Sequence, residues 1–148
     1  MAAVNDIERV SGNELYGAAF RKALKERKLT YSKCQKCGAV FLPPRPICPA
    51  CQGTAMAVAT IKGRGKLVAF TVITTPPPLM VEEGYGRDNP YACGVVELEE
   101  GVKVTARILG VDVHHPETIK IGTPVKLEFQ ETLHNSEKRI YLAFRAVK

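Results

Sequence analysis

The 148-residue chain has no tryptophan, three serines (Ser11, Ser32, Ser136) and three histidines (His114, His115, His134). None of the serines sits in a Gly-x-Ser-x-Gly elbow of the kind that presents a nucleophile. His114 and His115 are adjacent, so in an extended segment their side chains point apart and cannot converge on one proton or metal. The acidic pairs Glu82-Glu83 and Glu99-Glu100 read as loop and hairpin-tip charges. No catalytic constellation remains, and the chain is not expected to be an enzyme by itself. Aromatic residues make up only 7%, few for the stacking platforms on which single-strand nucleic-acid binders depend. Long apolar runs are also missing: none approaches the roughly 18 residues that span a bilayer. The opening Met1-Ala-Ala-Val-Asn-Asp-Ile-Glu has neither a basic leader nor an apolar stretch, so the expectation is a soluble, cytoplasmic protein with no membrane association.

What the chain does have is ordinary globular composition, 45% hydrophobic and 24% charged, which excludes disorder and collagen-like repeats. Its formal net charge is +6, unevenly spread. Residues 1–66 carry 12 basic and 4 acidic side chains, whereas 67–148 carry 9 and 11. A positive field over the first half favours phosphate-bearing partners, either nucleic acid or a phosphorylated cofactor, without choosing between them.

Five cysteines are present, and four of them choose a chemistry. Cys34, Cys37, Cys48 and Cys51 form two C-x2-C pairs separated by ten residues. Two thiolates on a tight turn grip one face of a metal ion, and a second such turn completes a tetrahedron of sulfur around zinc. Gly38 follows the first pair and Pro49 lies inside the second, as such turns require. Four sulfurs leave no position for a reacting water, which makes the expected zinc structural, one per chain. A segment of about 30 residues cannot bury enough apolar surface to fold alone, so metal binding must supply the missing stability. The fifth cysteine, Cys93, lies in an apolar segment and reads as core.

Local patterns order the rest. Ser11 and Glu14 fit a capping box, and Leu15, Tyr16, Ala19, Phe20, Ala23 and Leu24 recur at helical spacing, predicting an amphipathic helix from about Asn13 to Lys28. Its basic side chains are Arg21, Lys22, Lys25 and Lys28. Ala39–Leu42 reads as a short strand before the stiff connector Pro43-Pro44-Arg45-Pro46. The small-residue stretch Gln52 to Ala59 and then Thr60 to Gly65 read as ribbon exit and linker. Gly63 and Gly65 make no Walker loop, since Thr60 stands where its first glycine is needed. Strands are expected at Leu67–Ile73, Tyr91–Leu98, Val102–Leu109, Val125–Phe129 and Ile140–Phe144, with a long proline-containing loop to about Pro90. The fold expected is mainly β: an N-terminal helical segment (1–30), a rubredoxin-like zinc ribbon (31–62) and a five-stranded OB-fold barrel (63–148). Strand count alone equally suits a small sandwich or an SH3-like barrel.

Several of these features together resemble one family. They are the basic helix, the doubled C-x2-C, the run Gly63-Arg64-Gly65-Lys66-Leu67-Val68-Ala69-Phe70-Thr71-Val72, Pro90-Tyr91 leading into Val95-Val96-Glu97-Leu98-Glu99-Glu100-Gly101-Val102, and Ile121-Gly122-Thr123-Pro124-Val125. From about Leu15 to Val147 the chain is similar to domain of unknown function 35, whose members join a zinc ribbon to an OB-fold and accompany thiolases or other acyl-CoA enzymes. In archaea, similar proteins hold acetoacetyl-CoA thiolase against hydroxymethylglutaryl-CoA synthase, and bacterial ones accompany acyltransferases and steroid-degrading hydratases or aldolases. The resemblance implies a non-catalytic subunit of a thiolase-type complex that helps form a coenzyme A site and pass acyl-CoA intermediates. Coenzyme A carries a 3'-phosphate and a pyrophosphate, suited to Arg21, Lys22, Lys25, Lys28, Arg45, Lys62, Arg64 and Lys66. The competing expectation is a single-stranded nucleic-acid binder, since ribbons and OB-folds both serve that purpose; the net negative barrel half argues against it. A purely structural adaptor, docking through Thr75–Met80 and touching no coenzyme A, is the third.

Overall fold

A computed structural model describes residues 17–134 and 136–147. The capping box at Ser11 and Glu14, and the helical start from Asn13 to Tyr16, lie outside the described residues. Two compact units are present. One holds the described residues through Lys62 together with Glu100–Val102 and Glu131–Tyr141; the other holds Gly63–Glu99, Lys103–Gln130 and the chain from Leu142.

In the first unit, helix α1 (Gly17–Lys25) leaves Arg21, Lys22 and Lys25 exposed and half-buries Ala19, Phe20, Ala23 and Leu24, as the helical spacing predicts. It stops before Lys28. The Lys28 N–H bonds the Ala23 carbonyl and the Arg27 N–H that of Leu24, with Arg27 at φ 62°. This pair of bonds around one left-handed residue is a Schellman ending, which satisfies carbonyls the helix cannot. Leu29, fully buried, then accepts a bond from the Ile61 N–H.

Three antiparallel strands follow: β1 (Thr30–Cys34), β2 (Val40–Phe41) and β3 (Met56–Thr60), in the order β2-β1-β3. The stretch read from sequence as exit and linker is therefore partly strand. All five residues of β3 pair with β1, from Thr30 opposite Thr60 to Cys34 opposite Met56. Alanine-rich Met-Ala-Val-Ala-Thr has little β propensity, but β1 offers a ladder partner and Met56, Ala57 and Ala59 are buried. Ser32, fully buried, accepts the Arg45 N–H on its hydroxyl and so pins the proline connector.

A closed five-stranded barrel occupies the second unit, apart from the residues of its last two strands between 131 and 141, which belong to the first. Strands β4 (Arg64–Ile73), β5 (Tyr91–Leu98), β6 (Lys103–Leu109), β7 (Pro124–His134) and β8 (Glu137–Ala146) close in the order β4-β5-β6-β8-β7. β6 and β8 run parallel; the other pairings recorded by register are antiparallel. A 3-10 turn, Pro116–Thr118, fills the connection from the third barrel strand to the fourth. This is the order of an OB-fold. Along β5 burial alternates strictly, with Ala92, Gly94, Val96 and Leu98 inward. Cys93 thus falls on the outer, half-exposed side, opposite Arg107 on β6, and not in the barrel core where the sequence placed it.

Close backbone approach explains the barrel glycines. A Cβ on Gly63 would meet the Leu127 Cβ at 2.8 Å, and one on Gly65 the Glu97 carbonyl oxygen at 2.5 Å. On β4 the register slips between Leu67 and Ala69, a bulge that adds twist where the strand must bend to close the barrel. Beside it lies Gly94. The predicted loop before β5 contains a short helix, α2 (Pro78–Glu82), held by Arg107. The Arg107 guanidinium reaches Glu83 at 3.1 Å and the Met80 sulfur at 3.0 Å, and lies over the Tyr85 ring, which packs edge-on against Tyr91.

Two outcomes test this account. A Cβ on Gly94 would lie 2.6 Å from the Ala69 carbonyl oxygen and 2.8 Å from Leu67, so Gly94→Ala lowers unfolding stability by about 1–3 kcal/mol. Gly86→Ala, where a Cβ meets nothing within 4 Å, changes it by no more than about 0.5 kcal/mol; urea denaturation measures both. His115 Nδ1 lies 2.9 Å from Asp112, which raises the imidazole pKa and lowers that of the carboxyl. The stabilisation from His115 is complete below its unfolded pKa and fades as pH rises through the raised one; that from Asp112 is present above its unfolded value and lost on acidification. The NMR titration midpoint of His115 lies above about 6.5 and returns toward it in Asp112→Asn.

Candidate metal centre

Two turns of the first unit are built alike. In the first, the Gly38 N–H bonds the Cys34 carbonyl at 2.9 Å and the Cys34 N–H bonds that of Ala39 at 2.8 Å. In the second, the Gln52 N–H bonds the Cys48 carbonyl at 2.7 Å and the Cys48 N–H bonds that of Gly53 at 2.9 Å. The residue after each second cysteine is left-handed, Gly38 at φ 78° and Gln52 at φ 61°. Only the first was legible, because glycine is the usual occupant of that conformation and glutamine is not.

The turns bring all four sulfurs of Cys34, Cys37, Cys48 and Cys51 within 4.8 Å of one another. Cys37 and Cys48 approach to 3.5 Å and Cys34 and Cys51 to 3.6 Å. Zinc–sulfur bonds of about 2.3 Å place tetrahedral sulfurs about 3.8 Å apart, whereas a disulfide needs about 2.05 Å. The donor set therefore fits one zinc ion. Around it lies a small cluster in which Cys34, Cys48 and Met56 are buried and Ala39, Phe41, Cys51 and Val58 pack alongside. Two of its three buried members are the cysteines themselves, so the metal stands in for a missing core.

Ionisation points the same way. Backbone N–H groups aimed at sulfur lower the pKa of the first thiol of each turn: that of Cys37 on Cys34, to about 6, and that of Cys51 on Cys48. At Cys37 the Ala39 N–H pulls down, but the sulfur of Cys48, burial and the other two sulfurs together outweigh it and push the thiol up to about 12. Four thiols this close resist joint ionisation until a dication neutralises them.

The basic residues named from sequence fall in both units. In the first, Arg21, Lys22 and Lys25 line the exposed side of α1, Lys28 follows its end, and Lys62 follows β3. Arg45 is engaged locally, its guanidinium 6.0 Å from the centre of the Phe41 ring. The Lys62 backbone N–H bonds the Glu100 carboxylate at 3.0 Å, so Glu100, read as a hairpin-tip charge, also holds the chain after β3. In the second unit, Arg64 and Lys66 share the exposed face of β4, and Lys126 on β7 stands directly opposite Arg64. Lys126 escaped the sequence reading because only strand pairing brings it there.

Two family models match the chain: a rubredoxin-like zinc ribbon domain of ChsH2 over residues 21–57, and the ChsH2 C-terminal OB-fold domain over residues 59–130. A DUF35 domain-containing scaffold protein of Methanothermobacter thermautotrophicus is 36% identical over 110 residues, 74% of this chain and 77% of its own length. The benzoylsuccinyl-CoA thiolase subunit BbsA of Thauera aromatica is 30% identical over 53% of this chain and 49% of its own. A solved structure described as the Ltp2-ChsH2(DUF35) aldolase superposes with TM-score 0.67 at 28% identity, covering 87% of this chain and 92% of that one.

Removing the metal with a chelator collapses amide-exchange protection in β1 to β3, while β4 to β6 of the barrel keep theirs. Gly38→Ala, with open space around its Cβ, loses only the left-handed preference, about 1–2 kcal/mol, read as weaker zinc retention in a chelator competition. Gln52→Gly retains zinc at least as well as the unsubstituted protein.

Proposed function

Because the chain belongs to the DUF35 family, with a zinc ribbon and an OB-fold that match those of ChsH2, we propose that it is a non-catalytic scaffold subunit of an acyl-CoA enzyme complex with a thiolase-type partner. The observation that carries this reading is the 36% identity, over most of both chains, to an archaeal protein named a scaffold. Likeness to a thiolase subunit and to the ChsH2-containing aldolase supports an acyl-CoA enzyme as the partner.

In this reading Cys34, Cys37, Cys48 and Cys51 hold a structural zinc. All four positions around the ion are filled by sulfur, so it orders the ribbon and polarises no substrate. No helix among the described residues is long and apolar enough to cross a membrane. Coenzyme A is the ligand we assign to the exposed cations, with Arg64, Lys66 and Lys126 of the second unit as the favoured contacts. Guanidinium and ammonium groups suit its phosphates, and each charge-assisted contact is worth on the order of 1.5–3 kcal/mol. Arg45 is a weaker candidate because its side chain is already stacked on Phe41.

A tagged pull-down at low salt with nuclease present recovers a thiolase or another acyl-CoA enzyme in near-stoichiometric amount. Ribosomal or replication proteins that disappear on nuclease treatment would instead assign the basic residues to nucleic acid. Within the recovered complex, joint replacement of Arg64, Lys66 and Lys126 by alanine weakens coenzyme A binding tenfold or more, by the magnitudes above, and leaves assembly intact. Loss of assembly with unchanged coenzyme A affinity would leave a pure adaptor.

A further inference from the structure

The four sulfurs are not equivalent. Cys34 and Cys48, the first of each turn, are fully buried; Cys37 is exposed and Cys51 half-buried. Two approaches, 3.5 Å for Cys37 to Cys48 and 3.6 Å for Cys34 to Cys51, each join the sulfur of a more exposed cysteine to that of a buried one on the opposite turn. An oxidant arriving from solvent meets Cys37 first, and the sulfur of Cys48 stands beside it. From this arrangement we infer that the metal centre is a peroxide-responsive thiol switch, in which Cys37 is oxidised first, Cys48 resolves it as a disulfide across the two turns, and the zinc leaves. The inference rests on the zinc reading above.

The chemistry balances in two steps. With zinc bound, Cys37 would be held as the thiolate, and its sulfur attacks one oxygen of a peroxide; the O–O bond breaks, sulfur loses two electrons and becomes a sulfenic acid, and the peroxide's other oxygen departs as hydroxide. The Cys48 thiolate then attacks the Cys37 sulfur; an S–S bond forms, the S–O bond breaks, and hydroxide leaves and takes up a proton as water. Two of the four ligands are now spent, and Cys34 and Cys51 alone would be too few to retain the ion. A dithiol reverses the bridge by exchange and restores both thiolates for zinc.

The pairing across turns is the specific claim. A C-x2-C pair is the usual place to expect a disulfide in a reducing compartment, yet within the first turn the Cys37 N–H points at the Cys34 sulfur at 3.5 Å and organises that turn. A bridge between Cys37 and Cys48 leaves both turns as they are and joins them in the ion's place. Cys93, also half-exposed, lies on the barrel and has no part in the switch.

The test uses the full chain reconstituted with stoichiometric zinc and carrying Cys93→Ser, so that the only thiols are the four in question. Metal content is measured first, hydrogen peroxide is added with a chromogenic zinc indicator, and disulfides are mapped by mass spectrometry after non-reducing digestion. The expected result is zinc release in equal molar amount with a Cys37–Cys48 peptide pair, and full rebinding of zinc after treatment with dithiothreitol. A bridge within a turn, Cys34 to Cys37 or Cys48 to Cys51, overturns the switch while the zinc reading stands. So does release that proceeds only to sulfinic acid with no bridge. A reconstituted protein that holds no zinc before peroxide is added overturns the zinc reading and the switch with it. Cys48→Ser separates resolution from first attack: in whatever fraction retains metal, peroxide yields a dimedone-reactive Cys37 and no Cys37–Cys48 bridge.

Discussion

The meeting of four sulfurs is the constraint on which the ribbon depends. Its three strands are short, one of them two residues long, and its buried cluster is made largely of the cysteines that converge there. Apolar burial on that scale does not offset the entropy of ordering the segment. A dication that binds four thiolates supplies a free energy of the required order, and supplies it only when both turns are formed. Folding of the ribbon and metal binding are therefore one event. The matched bonds from N–H to carbonyl in the two turns, and the left-handed residue after each, are the backbone's share of that event.

The barrel solves its stability problem differently. Strict alternation along β5 gives it an inner face of Ala92, Gly94, Val96 and Leu98, joined by fully buried Leu67 and Phe144 from other strands. No metal is required for such a core. Closure instead costs space, and glycine provides it: at Gly63, Gly65 and Gly94 any Cβ would collide with a neighbouring strand. The run Gly63-x-Gly65, which in another context would suggest a phosphate cradle, is here a consequence of strands crossing at short distance. Arg107 adds a second layer by tying α2 and Tyr85 to the outer face.

Division of labour follows from these two solutions. Among the described residues, the ribbon's sulfurs converge on one metal position and the barrel carries exposed cations on β4 and β7. Under the proposed function these frames position a partner's substrate and leave the chemistry to the partner. The unequal exposure of the four cysteines is what the proposed switch draws on.

Much of this was legible in the linear chain. The spacing of Cys34, Cys37, Cys48 and Cys51 sufficed for the metal, because two C-x2-C turns have few other uses. Residues 91–98, read with 102–109 as a hairpin, form β5 with the limits read from sequence. Signals failed where a partner decides the outcome. The strand β3 is made of small residues and exists because β1 is there to pair with it; Gln52 takes a conformation that only its turn justifies; Cys93 faces outward because the parity of a strand, not its mean hydropathy, sets direction. Lys126 stands beside Arg64 by register alone, and Glu100 grips a backbone 38 residues away. The sequence by itself determined which atoms could bind metal and where strands would run, since those depend on neighbours a few residues apart. Which cysteines are buried and which cations share a face was decided only by the tertiary structure, because both depend on contacts between segments that the linear order keeps apart.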